Sequence, residues 1–565
     1  MEAALAIRPP VPASTLDTLD PITREVIRHK VDGIAEEMEI TLIRSAFSTI
    51  VKEGLDASAS IFTVTGETLA QSVANPTHLG TLMPMMKAFM RDVPLEDMKE
   101  GDIYLTNDPD YGSSHLPDFS LFAPIMAHGR LIAVAAVLTH HQDIGGMAPG
   151  STPTNATEIF QEGIRIPLIK LAENGEVKTD ILKLLRSNSR VPSLFEGDIW
   201  AQIAACEICK RRLHELAERY DSETLRLYFE SLLDHSERMM TAAIAKIPEG
   251  IYENVDFMDN DGVDLDKRIK IATRVHVSNG RLTLNFDGSS PQVRGPFNCV
   301  PAGVHAAACF ALKSFTDPKG EIPINGGCFR NFELELPADT VVNPGRGAAI
   351  GCRASTIKRI ATCILGALRK AAPERVPADH ASVELLIHFG GRNADGKTFV
   401  TSQILVGGGG AASDRDGVDA IESDTTNCMN IPTEAFEMDA PIRVNRAGLW
   451  TGSGGAGEHR GGLGLDVEYE FLADGITVTF RGERHFTPAK GQLEGGDGKM
   501  SEAYLQRPDG SRDVIKSKSV LHVGRGDRLV VKTAGGGGFG AVAKRSGALL
   551  DRDFADRKTG APANG

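Results

Sequence analysis

Apolar residues recur with helical spacing near the start of the chain. Asp20 followed by Pro21 is typical of an N-cap and a first helical position, because the acidic side chain accepts backbone N–H groups and proline has none to satisfy. The apolar positions that follow come at steps of three to five residues and are Ile22, Val26, Val31, Ile34, Met38 and Leu42. We therefore predict one amphipathic helix from Pro21 to about Thr49.

Shorter apolar runs begin after this helix and have the length of buried strands. They predict strands at Ser60–Val64, Asp102–Leu105 and Arg130–Thr139, with a helix at Met83–Met90. Residues 178–246 are predicted to be mainly helical. Pro248-Glu249-Gly250 then interrupts the helical pattern, and we predict a domain boundary there.

Beyond this break, strand patterns alternate with two helical ones. The predicted strands are Arg268–Val277, Arg281–Phe286, Phe332–Leu336, Val383–Phe389 and Phe399–Leu405, and the predicted helices are Gly303–Ser314 and Ser355–Ala372. Residues 465–540 are predicted to be mostly strand with glycine turns.

The pattern as a whole predicts a mixed α/β fold of two lobes, with a helix-rich N-terminal part and a β-rich C-terminal part. We expect a flexible leader over residues 1–19 and an N-terminal α/β domain over 20–247. A C-terminal α+β domain with glycine-rich loops should follow over 248–540, and a frayed tail over 541–565.

Charge and cysteine content narrow the functional classes. The 61 basic and 75 acidic residues give a formal net charge of −14, which argues against nucleic acid and against anionic membranes as partners. The eight cysteines are sparse and irregularly spaced, as in proteins of a reducing compartment. We see no signal peptide and no apolar run of membrane-spanning length, so we expect a cytoplasmic location.

Histidine and aspartate residues are concentrated between positions 105 and 146, mostly at the ends of predicted strands. They are His115, His140, His141, Asp108, Asp110, Asp118 and Asp143. A divalent cation needs imidazole nitrogens and carboxylate oxygens that converge from separate segments. His115 and Asp118 from one loop, with a histidine from the next, meet that need, and Asp56 offers a further carboxylate where the first helix gives way to a strand.

Two alternatives remain open at this point. Asp108 lies in an Asn-Asp-Pro turn and can serve only to cap it, and His140 can be a core histidine without a ligand role. Neighbouring residues of an extended strand point to opposite faces, so only one of His140 and His141 can be a close ligand.

Several longer motifs resemble the hydantoinase B family. They are Asn107-Asp108-Pro109, His115-Leu116-Pro117-Asp118, the run from His140 to Gly146, Pro149-Gly150-Ser151, the run from Phe160 to Pro167, and the run from Gly535 to Gly540. The family includes N-methylhydantoinase and 5-oxoprolinase subunits, caprolactamase, and subunits of acetone and acetophenone carboxylases. The resemblance extends from about Asp20 to Gly540.

This resemblance implies a metal site whose matching positions here are Asp56, His115, Asp118 and His140. It implies zinc in the lactam hydrolases and manganese in acetone carboxylase. His141, Asp143 and Asp108 are outer or alternative candidates, and Asp143 is a candidate for orienting a ligand histidine. The resemblance also implies an ATP-binding partner similar to hydantoinase A in an (αβ)₂ assembly, so that ATP is used by the partner and not bound by this chain.

These expectations lead to one main hypothesis and two alternatives. The chain is expected to be the metal-binding subunit of an ATP-dependent cyclic amidohydrolase that opens hydantoin, oxoproline or lactam rings after the partner has phosphorylated them. The cation would lower the pKa of bound water from about 15.7 to roughly 7, with Asp56 as ligand or general base. The chain lacks the long insertions of acetone carboxylases, which favours a hydrolase. The alternatives are a ketone carboxylase subunit and a non-catalytic scaffold for the ATP-binding partner.

Three further motifs do not predict a nucleotide, redox or catalytic site on their own. Gly391–Thr398 matches the P-loop pattern, but a strand follows it where a P-loop requires a helix, so we predict a hairpin turn. Cys206 and Cys209 form a lone CxxC within a predicted helix, which favours packing. Arg353 precedes a predicted helix and is a candidate for binding an anion, with a surface salt bridge as the alternative.

Overall fold

A computed structural model of the chain describes Leu16 and residues 18–559. Most of the predicted leader, and the last six residues of the predicted tail, lie outside the described residues. Helix α1 (Pro21–Ser45) begins where the sequence predicts, with the Asp20 carboxylate accepting from the Ile22 and Thr23 amides. It ends four residues earlier than predicted because Ala46 is extended, and a short helix α2 (Thr49–Lys52) follows.

The N-terminal part is built on one seven-stranded sheet. Its strands are β1 (Ala57–Phe62), β2 (Thr68–Gln71), β3 (Ile103–Thr106), β4 (Asp118–Ala127), β5 (Arg130–His140), β6 (Ile169–Glu173) and β7 (Glu176–Val177). They lie in the order β2-β1-β5-β4-β3-β6-β7. The accompanying helices are α3 (Pro76–Asp92), α4 (Thr179–Ser187), α5 (Pro192–Tyr220) and α6 (Ser222–Ile244).

Helices cover both faces of this sheet. One face packs in a buried cluster with α1 and α5, and the opposite face packs against α3 through Leu82, Met86 and Phe89. Strand residues of the two faces alternate: Leu138 of β5 lies on the α3 side, whereas Val137 lies on the α5 side. This alternation fixes the direction in which the polar residues at the strand ends point.

Three further sheets follow. One joins β8 (Gly250–Met258), β9 (Ile269–Ser278), β10 (Arg281–Asn285) and β11 (Phe332–Glu335), beside α7 (Pro301–Thr316) and α8 (Arg353–Arg369). A second joins β12 (Glu384–Arg392), β13 (Thr398–Val406), β16 (Ile476–Arg481) and β19 (Lys518–Val523). The third joins β14 (Ile442–Leu449), β15 (Leu465–Phe471), β17 (Glu502–Gln506), β18 (Arg512–Val514) and β20 (Arg528–Lys532). Helices α9 (Thr433–Asp439) and α10 (Gly547–Ala555) complete the elements.

The predicted mixed α/β class is confirmed. Beyond residue 240, the buried apolar residues form two large clusters, one around α7 and α8 and one between the last two sheets. The domain boundaries drawn from the sequence stay predictions. The predicted frayed tail contains α10. Its Asp553 is buried and accepts from Arg545, and this ion pair anchors the segment. No helix in the described part of the chain is long and apolar enough to cross a membrane.

Candidate metal centre

The register of the N-terminal sheet brings three predicted site residues side by side. Asp118, the first residue of β4, is the cross-strand partner of His140, the last residue of β5. Ala57 pairs with Thr139, and the His140 amide donates to the Asp56 carbonyl at 3.1 Å. Asp56, Asp118 and His140 therefore form a row at one end of the sheet. Alternation along the strands sends their side chains to the face covered by α3.

Three donor atoms converge at this end of the sheet. They belong to His115, Asp118 and His140, which form the candidate metal cluster. His115 Nε2 lies 2.7 Å from Asp118 Oδ1, and His140 Nδ1 lies 3.2 Å from each of these two atoms. All three side chains are buried. Two ligands of a tetrahedral ion with metal–nitrogen bonds of about 2.0–2.1 Å lie about 3.3 Å apart, so the spacing is close to that of ligands around one cation.

The protonation of His115 strengthens this interpretation. Its Nδ1 lies 2.9 Å from the Gly351 carbonyl, which can only accept, so Nδ1 carries the proton. Burial, aided by the charge of Arg353, lowers the pKa of His115 to about 3 and keeps the imidazole neutral. The bare Nε2 therefore faces a carboxylate oxygen of Asp118. Two lone pairs at this distance repel each other unless a cation lies between them, so the donor chemistry fits a metal ion.

Asp118 is held in its charged form from its other side. Arg353 Nη2 donates to Asp118 Oδ2 at 2.6 Å, and Arg353 Nε donates to Ser114 Oγ at 2.9 Å. Burial alone would raise the pKa of Asp118, but the charge of Arg353 holds it well below its usual range. The guanidinium of Arg353, predicted to bind an anion or to lie in a surface salt bridge, is thus buried against a carboxylate of the cluster.

His78 is a neighbour of the cluster that the sequence did not reveal. It lies on α3, and its Nε2 is 3.3 Å from Asp56 Oδ1 and 3.8 Å from Asp118 Oδ1. Asn75, the N-cap of α3, donates to the same Asp56 oxygen at 3.1 Å. Asp56 Oδ2 lies 3.9 Å from His140 Nδ1, so Asp56 is at the margin of the group. Only the Asn75-Pro76 helix start in the sequence could have pointed to this position.

His141 points away from the cluster, to the α5 side of the sheet. Its ring lies 4.3 Å from the Phe195 ring and 4.9 Å from the Phe119 ring, and its Nε2 is 3.4 Å from Gln202 Oε1. Burial lowers the pKa of His141 to about 3, so it is neutral in this apolar setting. These contacts are those of a packed core histidine.

The other two outer candidates have different partners. Asp143 accepts from the amides of Gly145, Gly150 and Arg190 and from Arg190 Nη1, at 2.9–3.1 Å. Asp108 accepts from the Asp110 amide and from Arg165 Nη2, both at 2.8 Å, and so caps the turn after β3. Neither carboxylate has a histidine among its hydrogen-bond partners in the described residues, so the orienting role predicted for Asp143 finds no geometric support.

The remaining motifs have structural roles. Residues 391–398 join the antiparallel strands β12 and β13 through a tight turn closed by Asn393 and Lys397, as predicted. Cys206 and Cys209 are buried in α5. The glycine-rich segments pack backbone against backbone: a Cβ on Gly536 would lie 2.0 Å from the Gly409 carbonyl oxygen.

Comparison with known proteins agrees with the motifs. Residues 20–542 match the family model described as hydantoinase B/oxoprolinase, and the chain belongs to this family. It is 34% identical to an uncharacterized protein of Methanocaldococcus jannaschii, over 96% of this chain and 94% of that protein. It is 31% identical to the caprolactamase subunit beta of Pseudomonas jessenii, over 94% of this chain and 92% of that subunit.

A solved structure shares the fold. The crystal structure of ATP-dependent caprolactamase from Pseudomonas jessenii superposes with a TM-score of 0.89 at 29% sequence identity, over 96% of this chain and 95% of that chain. The family resemblance predicted from the sequence is therefore confirmed, and its predicted extent agrees with the matched residues.

Proposed function

We propose that this chain is the metal-binding subunit of an ATP-dependent enzyme that hydrolyses cyclic amides. The observation that carries the proposal is the convergence of His115 Nε2, Asp118 Oδ1 and His140 Nδ1 within 3.2 Å in a buried site. Membership of the hydantoinase B/oxoprolinase family and the similarity to caprolactamase support the choice of substrate class.

Three residues would hold the cation, His115, Asp118 and His140, with Asp56 as a further ligand or as the general base. Imidazole and carboxylate donors suit either Zn²⁺ or Mn²⁺. When bound, the ion supplies Lewis acidity, which lowers the pKa of water from about 15.7 to roughly 7.

The chain's own residues prepare the site for hydrolysis. The Gly351 carbonyl fixes the His115 tautomer, and Arg353 turns Asp118 so that Oδ1 faces the histidines. Asp56 is the carboxylate best placed to accept the proton of an attacking water, because its oxygens lie at the edge of the group, beside His78 and Asn75. Packing from α3 and α5 excludes bulk water.

We further propose that an ATP-binding partner similar to hydantoinase A activates the ring, in an (αβ)₂ assembly. An amide in an unstrained ring is a poor electrophile, and phosphorylating its oxygen makes it a better one. The only P-loop pattern noted in the sequence is the β12–β13 hairpin, which has no helix N-terminus to hold phosphates. The proposal therefore assigns ATP to the partner.

The test is reconstitution of the complete complex. The chain is co-expressed with its partner, and metal content is measured together with ATP-dependent turnover of a panel of hydantoins, lactams and oxoproline in the presence of ¹⁴C-bicarbonate. Ring-opened product without label, and about one Zn²⁺ or Mn²⁺ per chain, are expected. Stable ¹⁴C label in the product would show that the complex carboxylates its substrate and would overturn the proposed hydrolysis. A His140→Ala variant without metal but with full turnover would make the chain a scaffold.

A further inference from the structure

A buried histidine from the C-terminal part of the chain lies against the loop that follows His140. His388 lies on β12 and is 1% exposed. Its Nδ1 is 2.9 Å from Ser402 Oγ, but its Nε2 has no hydrogen-bond partner among the described residues. A buried imidazole with one satisfied and one unsatisfied nitrogen is costly unless a ligand completes it.

The neighbours of His388 determine which nitrogen carries the proton. Gln142 Nε2 donates to Ser402 Oγ at 2.8 Å, and Ser402 is the cross-strand partner of His388 on β13. Among the described residues, the Ser402 hydroxyl proton is satisfied only if it is donated to His388 Nδ1, the other contact of that oxygen. A neutral imidazole consequently carries its proton on Nε2, as a free donor. Burial, together with the charge of Arg481, holds the pKa of His388 well below its usual range, so the ring is neutral.

Backbone packing fixes this donor beside the metal-binding loop. A Cβ on Gly150 would lie 2.3 Å from His388 Cγ, and a Cβ on Gly390 would lie 2.2 Å from Pro149 Cβ. The loop after β5, which follows His140 and contains Gln142, therefore lies directly on β12. Only glycine permits this approach at both places.

A buried arginine lies on the same face of the sheet as His388. Arg481 is the cross-strand partner of Leu386, two residues before His388, so both side chains belong to the same face of the sheet. Arg481 is buried, and its charge acts on His388. An N–H donor buried beside an arginine favours an oxygen of an anionic group.

We infer that His388 binds substrate, with its Nε2–H donating to a phosphoryl oxygen of the activated cyclic amide while the ring carbon is presented to the metal cluster. This inference rests on the proposed function. The residue is contributed by the C-terminal sheet, and the metal donors by the N-terminal one, so the substrate would lie between them.

The first test separates substrate binding from metal binding in the complete complex. His388→Phe should retain metal at the wild-type stoichiometry and lose at least about tenfold in ring opening per ATP cleaved, the loss expected for one charge-assisted hydrogen bond. His388→Gln keeps an N–H donor and should recover part of the coupling. His305→Gln, a change of a histidine of α7 bonded to the Gly80 carbonyl, is the matched control and should leave both quantities unchanged.

A binding measurement makes the inference independent of turnover. Calorimetric titration of the metal-loaded full-length chain with inorganic phosphate should give an affinity that falls about tenfold in His388→Phe and is unchanged in His305→Gln. Phosphate affinity that is equal in wild type and His388→Phe, or absent in wild type, would overturn the inference. Equal damage in His388→Phe and His388→Gln, or loss of metal in either, would show a packing or ligand role and also overturn it.

The two proposals fail in different ways. If no cyclic amide is opened by the wild-type complex but phosphate binding still depends on His388, the proposed function fails and the anion-binding role stands. If ring opening occurs and His388→Phe keeps its full coupling to ATP cleavage, the role of His388 fails and the function stands.

Discussion

Two sets of carboxylates from the same stretch of sequence have opposite surroundings. Asp118 meets His115 and His140, and the bare Nε2 of His115 faces its Oδ1. Asp108 and Asp143 are equally near in sequence, but arginine side chains and backbone amides occupy their oxygens. Arg353 holds one oxygen of Asp118 and leaves the other facing two histidines, where the proposed metal would bind. The partners of Asp108 and Asp143 in the described residues are guanidinium and N–H groups, and these contacts fix the loops.

The largest effect on metal affinity is expected from changes to the residues of the proposed metal site. His115→Ala removes a donor from the buried cluster, and we expect metal affinity to fall by more than about 100-fold, since even outer partners of ligands cost 10–100-fold. Turnover of the complex should fall with it. Metal analysis of the purified chain checks this, with His305→Gln as control. Stoichiometric metal in His115→Ala would remove the distinction between the two sets.

Asp143→Ala should lower the stability of the fold and leave the affinity for metal nearly unchanged. The change leaves Arg190 and three backbone amides without their acceptor, and we expect the free energy of unfolding to fall by about 3 kcal/mol. Metal affinity should stay within a few-fold of wild type. Urea unfolding and metal analysis on the same preparation check both points. Loss of metal with unchanged stability would mean that Asp143 belongs to the metal-binding set.

Glu162 offers a pH-dependent test of the contacts that hold the segment at Gly351, which binds His115. It accepts from the Ile350 and Gly351 amides, and the Gly351 carbonyl holds His115. Burial raises the pKa of Glu162 from its ordinary value to about 8. The folded state therefore retains a proton that the unfolded chain releases above about pH 4.5. This contribution to stability is fully present below pH 4.5 and is lost as pH rises through 8.

In Glu162→Gln this pH dependence should disappear. The slope attributable to one such group is at most about 1.4 kcal/mol per pH unit. Unfolding of wild type and Glu162→Gln between pH 5 and 9 gives the difference directly, and we expect the variant to gain stability relative to wild type toward pH 8. Parallel pH profiles for the two proteins would contradict a buried, protonated Glu162.

The smallest effect is expected at His141. His141→Phe replaces a ring packed between Phe119 and Phe195 by another ring, and we expect less than about 1.5 kcal/mol of destabilisation and metal content equal to wild type. His140→Phe is the matched comparison and should lose the metal. Metal analysis of the pair decides between adjacent histidines. Loss of metal in His141→Phe alone would reverse the proposed ligand.

Much of the local structure could be predicted from the sequence. The Asp20 cap, the strands around the cluster and the hairpin at residues 391–398 follow from side-chain spacing and turn chemistry, which act over a few residues. Alternation along β5 predicts that His140 and His141 face opposite sides, because side chains of a strand point alternately. The family and the mixed α/β class were also determined at this level, from motifs long enough to be specific.

Only the tertiary structure decided which face of the sheet carries the site and which distant residues complete it. The face of the sheet to which His140 points follows from the packing of α3 and α5. The apolar faces of these helices determine which strand residues are buried on each side of the sheet. His78, Arg353 and His388 come from three other segments, and no local spacing relates them to the cluster. Sequence fixes the period of each element because its forces are short-ranged, whereas convergence of buried polar groups depends on how whole elements pack.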